Sequence, residues 1–175
     1  MKRSIKLWQI LGFIFTSLLG TLLHFLYDWL DGATWIAPFS SVNESTWEHM
    51  KLLFLPTFIF AIIQSLLFKE RKDFWCIKLR GILLGLILIP LIFYTYNGVI
   101  GKSPDWINIS IYFISAAIVY IYETRLFNNE RIICNSPSRP IMILCIIALL
   151  FALFTFATPE ISIFKDPITE RYGII

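Results

Sequence analysis

The sequence predicts an all-α integral membrane bundle of five transmembrane helices, with the N-terminus in the cytoplasm and the C-terminus outside. Three observations support this prediction. Hydrophobic residues make up 57% of the 175 residues and charged residues only 15%, against about a quarter charged residues in soluble domains. The apolar residues gather in five long stretches. The basic residues between those stretches lie mainly on one side of the predicted bundle.

The five stretches match the thickness of a bilayer, whose hydrocarbon core of about 30 Å requires about 20 helical residues. A single membrane domain of residues 1–175 is expected, with spans at 7–30, 48–68, 81–101, 106–122 and 140–159 and an extracytoplasmic tail at 160–175. Pro56 and Pro90 fall within spans, so neighbouring helices must satisfy the carbonyls that they free. Phe164 and Tyr172 can dock the tail on the bundle, or the tail can fray as termini often do.

The orientation follows from the positions of the basic residues. Eleven of the fifteen lysines and arginines precede the first span or lie between the second and third or the fourth and fifth spans. They are Lys2, Arg3, Lys6, Lys69, Arg71, Lys72, Lys78, Arg80, Arg125, Arg131 and Arg139. Because basic residues concentrate on the cytoplasmic side of membrane proteins, this side is predicted to be cytoplasmic.

The three cysteines and the basic residues also limit the function. Cys76 and Cys134 fall in predicted cytoplasmic segments and Cys145 within a span, so no disulfide is expected. No cluster of basic and aromatic residues indicates nucleic-acid binding. Membrane lipids are the expected partners, and partner proteins or a second copy of the chain are compatible with the topology.

Polar residues are costly within a membrane, and those of the first span are regularly spaced. Ser17, Thr21, His24, Asp28 and Asp31 follow one another at intervals of three or four residues, which keeps them on one helix face. This stripe is predicted to point into the bundle.

A second polar cluster precedes and begins the second span. Ser45 and Glu48 have the spacing of a capping box, and Lys51 is expected to extend outward to water. This structural interpretation does not account for His24 and His49, which are the only histidines of the chain.

A functional interpretation joins the two clusters in one pocket at the outer membrane face. The candidate ligand-binding residues are His24, Asp28, Glu44, Glu48, His49 and Lys51. Two imidazoles with carboxylates can bind a divalent metal such as zinc, and the candidate metal ligands are His24, Asp28, Glu48 and His49. Glu48 or Asp28 is the candidate general base for catalysis by metal-bound water.

Three classes of function fit these residues. The first is a metal- or ligand-binding site that acts on a lipid or envelope substrate. The second is a small cation- or proton-coupled transporter or channel component, for which Gln64 and Ser65 offer only a sparse inner route. The third is a non-catalytic scaffold or sensor. No HExxH, GxSxG or P-loop signature decides between them.

Three motifs resemble those of a known family. They are H-x2-Y-D-W at His24 to Trp29, N-E-S-x-W-E-H-x-K at Asn43 to Lys51, and F-x-D-P-x-T-x2-Y-G at Phe164 to Gly173. Together they resemble DUF6512, a family of small bacterial membrane proteins of unknown function. The resemblance implies a bacterial cytoplasmic membrane and a five-span bundle, and it implies no activity.

Overall fold

The computed structural model describes residues 2–101, 104–129, 134 and 136–174. Its five α-helices are α1 (Lys2–Trp29), α2 (Thr46–Leu67), α3 (Phe74–Val99), α4 (Asp105–Phe127) and α5 (Ser138–Phe156). Each contains a stretch long and apolar enough to cross a membrane. The predicted all-α bundle of five membrane-spanning helices is therefore confirmed. Arg131, counted above among the basic residues, lies outside the described part of the chain.

Three helices extend several residues beyond their predicted spans. α1 begins at Lys2 rather than at residue 7. α3 begins at Phe74 rather than at residue 81, and α4 ends at Phe127 rather than at residue 122. The prediction stops the spans of α3 and α4 at charged residues. Lys78 and Glu123 nevertheless lie within these helices, because they are buried together as an ion pair with 2.6 Å between Nζ and Oε2.

The first four helices form a ring in which each helix packs against its neighbours, and α5 packs against α2 and α3. α3 and α4 approach closely at Gly81 and Gly85, which are four residues apart. A Cβ atom at Gly81 would overlap the Glu123 side chain, and one at Gly85 would overlap Leu53 and Val119. Such pairs of small residues let helix backbones pack tightly in membranes, where packing replaces the hydrophobic effect as a driving force.

A tyrosine from α4 compensates for the proline within α2. Pro56 has no N–H group, so the carbonyl of Leu52 loses its helical partner. The Tyr112 hydroxyl shares its proton between two carbonyls, that of Thr16 at 2.9 Å and, more weakly, that of Leu52 at 3.4 Å. Gly20 makes this possible, because a Cβ atom there would overlap the hydroxyl. One side chain thus joins α1, α2 and α4.

The expectation of no disulfide is wrong. Cys76 and Cys134 are bonded, with their Cα atoms 6.0 Å apart. The early start of α3 places Cys76 on a helix, in its first turn. Cys145 is free and exposed. Disulfides persist in oxidising compartments. The basic residues at this end of the bundle instead predict the cytoplasm, which is reducing, so the disulfide and the basic residues indicate different compartments.

The C-terminal tail docks on the bundle. Phe164, in a short 3₁₀ helix (Ser162–Phe164), is buried against Trp47 with 4.6 Å between ring centroids. The Asn43 side-chain amide donates to the carbonyl of Gly173 at 2.7 Å. Trp47 and His49 are two residues apart and so face opposite sides of α2. The tail therefore covers the side of α2 away from the histidines.

Candidate metal centre

The segment between α1 and α2 folds back onto the end of α1. Asp31 and Gly32 have positive φ angles of 50° and 72°, which end the helix and reverse the chain. The Ser40 hydroxyl accepts a hydrogen bond from the N–H of Tyr27 at 2.9 Å and donates to the carbonyl of Leu23. This hydroxyl therefore holds the returning chain beside the last turns of α1.

The turn into α2 fixes the position of Glu44. Ser45 is the N-cap of α2, since its hydroxyl accepts from the N–H of Glu48 at 3.4 Å. The N–H of Ser45 donates to the Asn43 side chain at 2.9 Å, so the capping box is not closed by Glu48. The Glu48 carboxylate instead accepts from the N–H of Val42 at 3.1 Å. Glu44 thus lies in a turn that is held on both sides.

Three side chains converge at this end of the bundle. His24 Nε2 lies 3.5 Å from one Glu44 carboxylate oxygen, and His49 Nε2 lies 3.6 Å from the other. One donor atom from each residue falls within 4.8 Å of the other two. Ligands at 2.0–2.2 Å from a tetrahedral zinc ion are about 3.4 Å apart. The two histidine–carboxylate separations are close to this value, and donor atoms as much as 4.8 Å apart must approach each other to share an ion.

The orientation of His49 also suits a metal ligand. Its Nδ1 lies 2.9 Å from the carbonyl oxygen of Ser45. A carbonyl only accepts hydrogen bonds, so Nδ1 carries a proton, and in the neutral ring the lone pair is then on Nε2, the nitrogen that faces Glu44. Metal-binding histidines usually donate their second N–H group in this way, which fixes the tautomer and the ring.

The structure separates the predicted site into two parts. Glu44 lies beside the two histidines, whereas the Glu48 carboxylate pairs with Lys51 Nζ at 2.6 Å. The expectation that Lys51 extends outward is wrong, because its side chain is fully buried. Nζ also donates to the carbonyl of Ala37 at 2.8 Å and the hydroxyl of Thr155 at 3.1 Å. These three oxygens match the three donors of an ammonium group.

The predicted polar stripe on α1 faces inward only in part. Ser17 and His24 are half-buried, whereas Thr21, Asp28 and Asp31 are exposed. The Thr21 hydroxyl donates to the carbonyl of Ser17 at 2.8 Å, so its own helix satisfies it. Asp28 lies one turn beyond His24 and interacts with it electrostatically, outside the converging set of donors.

A cavity of about 160 Å³ borders both histidines between α1, α2 and α4. Its other walls are mainly apolar and include Phe25, Leu52 and Phe113. A smaller cavity of about 20 Å³ lies beside Glu44 and His49. The candidate centre is therefore accessible to a ligand with an apolar part.

The opposite half of the bundle is more polar than the sequence predicts. Thr16 Oγ1 and the Tyr120 hydroxyl are 2.7 Å apart in the core, and the Thr57 hydroxyl lies 3.5 Å from Thr16 Oγ1. The buried Lys78–Glu123 pair lies beyond them, near that end of the bundle. The sequence prediction missed this pair because it placed both residues outside the spans.

The five apolar helices define a multi-pass membrane protein, with a His–Glu–His cluster at one end as the candidate metal centre in the described residues. The chain belongs to a family of unknown function, DUF6512, whose model matches residues 1–174. No curated protein and no solved structure matches it. The resemblance inferred from the three motifs is thereby confirmed.

Proposed function

We propose that the protein binds a divalent metal ion, zinc in particular, through His24, Glu44 and His49. The observation that carries this proposal is the convergence of the three donor atoms. Two histidines and one carboxylate, with a fourth position open, form a ligand set used by catalytic zinc sites. The ligand side chains are 26%, 40% and 18% exposed for His24, Glu44 and His49, which leaves the open position accessible.

A zinc ion here would activate a water molecule or polarise a carbonyl or phosphoryl oxygen. The apolar cavity beside the histidines favours a lipid or envelope precursor as the substrate. Asp28 is the better candidate for the general base, because it is exposed next to His24. Glu48 is committed to Lys51 and Val42, so its role in this proposal is to hold the turn that carries Glu44.

Metal analysis of the purified protein tests the proposal. The wild type should bind about one zinc ion per chain, and His49→Ala or Glu44→Gln should weaken binding by more than about 100-fold, since loss of even an indirect partner of a metal ligand costs 10–100-fold. Ser45→Ala is the matched control. It should lose about 1 kcal/mol of stability with the N-cap and keep its zinc, because the backbone carbonyl bound to His49 remains.

A wild type that neither contains nor takes up zinc would overturn the metal proposal. So would equal loss of zinc in Ser45→Ala and His49→Ala, because the effect would then come from the fold of the turn. In the first case the scaffold or sensor alternative would stand.

Ion-coupled transport is the second candidate, and the polar core around Thr16, Thr57 and Tyr120 favours it. The same protein in vesicles with an enclosed zinc-sensitive dye distinguishes the candidates. A metal centre should bind zinc without raising the zinc concentration inside the vesicles. Accumulation that Glu44→Gln abolishes would support the transporter instead.

We also propose that the protein resides in a bacterial cytoplasmic membrane with its N-terminus inside. The excess of basic residues at one end supports the orientation, and the resemblance to a bacterial family supports the membrane. A reporter fused at the C-terminus should read as external and one inserted in residues 69–73 as cytoplasmic. The Cys76 thiol should then be free to react with maleimide in intact reducing cells.

The opposite result would contradict this orientation. If the 69–73 reporter is external and Cys76 is blocked by its bond to Cys134, the bundle is inverted. The candidate metal centre would then face the cytoplasm, and its substrate would be sought there.

A further inference from the structure

A groove runs between α1 and α4 at the end of the bundle opposite the candidate metal centre. Its volume is about 450 Å³. Ile10 and Phe13 of α1 and Ala117 and Ile121 of α4 form its apolar walls. Ile10 and Ile121 are 48% and 54% exposed, so the groove opens on the surface of the spans, where lipid acyl chains pack.

Two positively charged side chains lie at one end of this groove. Lys6 lies one turn before Ile10, and Arg125 lies one turn after Ile121, so both are near the same membrane interface. Both side chains are exposed, and neither forms an ion pair within the described part of the chain. An apolar groove with two positively charged side chains at one end is complementary to a lipid, whose acyl chain is apolar and whose headgroup can be anionic.

A buried amide on the groove wall provides an independent indication of a ligand. Gln9 is only 2% exposed and borders the groove. Its amide interacts with the Glu123 carboxylate, but neither polar atom of the amide has a partner in good hydrogen-bonding geometry. A buried amide without a well-formed hydrogen bond is unfavourable, and its NH2 group has a second N–H to donate. Gln9 lies about one helical turn beyond Lys6, and the ester carbonyls of a glycerolipid follow directly after its phosphate. A phosphate held at Lys6 therefore brings an ester carbonyl, which is an acceptor, towards Gln9.

We propose that this groove binds one anionic phospholipid. Lys6 and Arg125 hold its phosphate, Gln9 donates to an ester carbonyl, and the apolar walls bind one acyl chain. Basic pockets between membrane helices recognise anionic headgroups in this manner. This site lies at the other end of the bundle and does not depend on metal binding.

Native mass spectrometry of the full chain tests the proposal with phosphatidylglycerol and phosphatidylcholine of identical acyl chains. One phosphatidylglycerol should be retained in preference to phosphatidylcholine. Lys6→Gln with Arg125→Gln should weaken its binding roughly tenfold or more, given about 1 kcal/mol per basic residue near an anionic surface. The control Lys72→Gln with Arg80→Gln removes the same charge from the same end, outside the groove, and should retain the preference.

A second pair of variants separates the amide from the charge. Gln9→Leu should weaken phosphatidylglycerol binding, whereas Gln64→Leu should not. Gln64 is an equally buried glutamine whose side chain also makes no well-formed hydrogen bond, but it does not border the groove. Equal binding of the two lipids by the wild type would overturn the proposal, as would equal losses in the groove and control variants. A groove variant that changes only the oligomeric mass would indicate a protein interface instead.

Discussion

Replacement of Lys51 by methionine should lower the free energy of unfolding by about 3–5 kcal/mol, the usual cost of breaking a buried ion pair from one side. The substitution keeps most of the side-chain volume and removes the charge. It leaves the buried Glu48 carboxylate without its cation and the carbonyl of Ala37 without its donor. Denaturation of the purified protein in detergent, followed by circular dichroism, measures the change.

Lys165→Met is the matched control. Lys165 pairs with Glu170 at 3.3 Å, but the two side chains are 40% and 78% exposed. Exposed pairs contribute at most about 1 kcal/mol, so this variant should be nearly as stable as the wild type. Equal effects of the two substitutions would show that burial of the Lys51 pair is not what stabilises the segment between α1 and α2.

Lys51→Met should also weaken zinc binding, although Lys51 does not contact the candidate ligands. Lys51 holds Glu48, and Glu48 holds the backbone N–H of Val42, two residues before Glu44. Release of this turn should misplace the Glu44 carboxylate relative to the histidines. Unchanged zinc affinity in a destabilised variant would show that the turn is held by Asn43 and Ser45 alone.

The second large effect is expected at the Lys78–Glu123 pair. Glu123→Leu or Lys78→Leu alone should cost about 3–5 kcal/mol, because either change leaves a fully buried charge without its partner. The double variant should recover most of this loss, since hydrophobic replacement of both members of a buried pair is often neutral or stabilising. A double-mutant cycle in the same denaturation assay measures the coupling.

The Lys78 ammonium group also lies 5.3 Å from the ring centroid of Tyr120. This cation–π contact gives Lys78 a second interaction that leucine does not replace, so recovery in the double variant should be incomplete. A double variant as unstable as the sum of the single variants would contradict coupling between the charges. Each side chain would then stabilise the bundle independently.

The sequence determined the number of helices and their approximate centres. Hydropathy over about 20 residues is a local property, and each of the five stretches is apolar enough to satisfy the bilayer without help from its neighbours. The N-cap at Ser45 is local as well, because its hydroxyl and the N–H that it accepts from are three residues apart. The requirement for an outside donor near Pro56 follows from the missing N–H group of proline.

The tertiary structure decided which charges end a helix and which are buried within one. Lys78 and Glu123 are 45 residues apart in the sequence, and each extends its helix only because the other neutralises it. Lys51 is buried because Thr155, 104 residues away, and the returning segment at Ala37 supply its remaining acceptors. The Cys76–Cys134 bond also depends on the tertiary structure, because it joins residues that are 58 positions apart in the sequence.

Part of the candidate metal centre was likewise predictable from the sequence, and part depended on the tertiary structure. The two histidines were predicted from the sequence as one patch, because they occur at the facing ends of consecutive spans. The sequence did not predict which carboxylate lies beside the histidines, because Glu44 and Glu48 are one helical turn apart and equally plausible by spacing. In the folded turn the Glu48 carboxylate binds the N–H of Val42 and the ammonium group of Lys51. Glu44 is therefore the carboxylate that faces His24 and His49. Local patterns therefore specify the spans, whereas contacts between distant residues specify which polar groups meet.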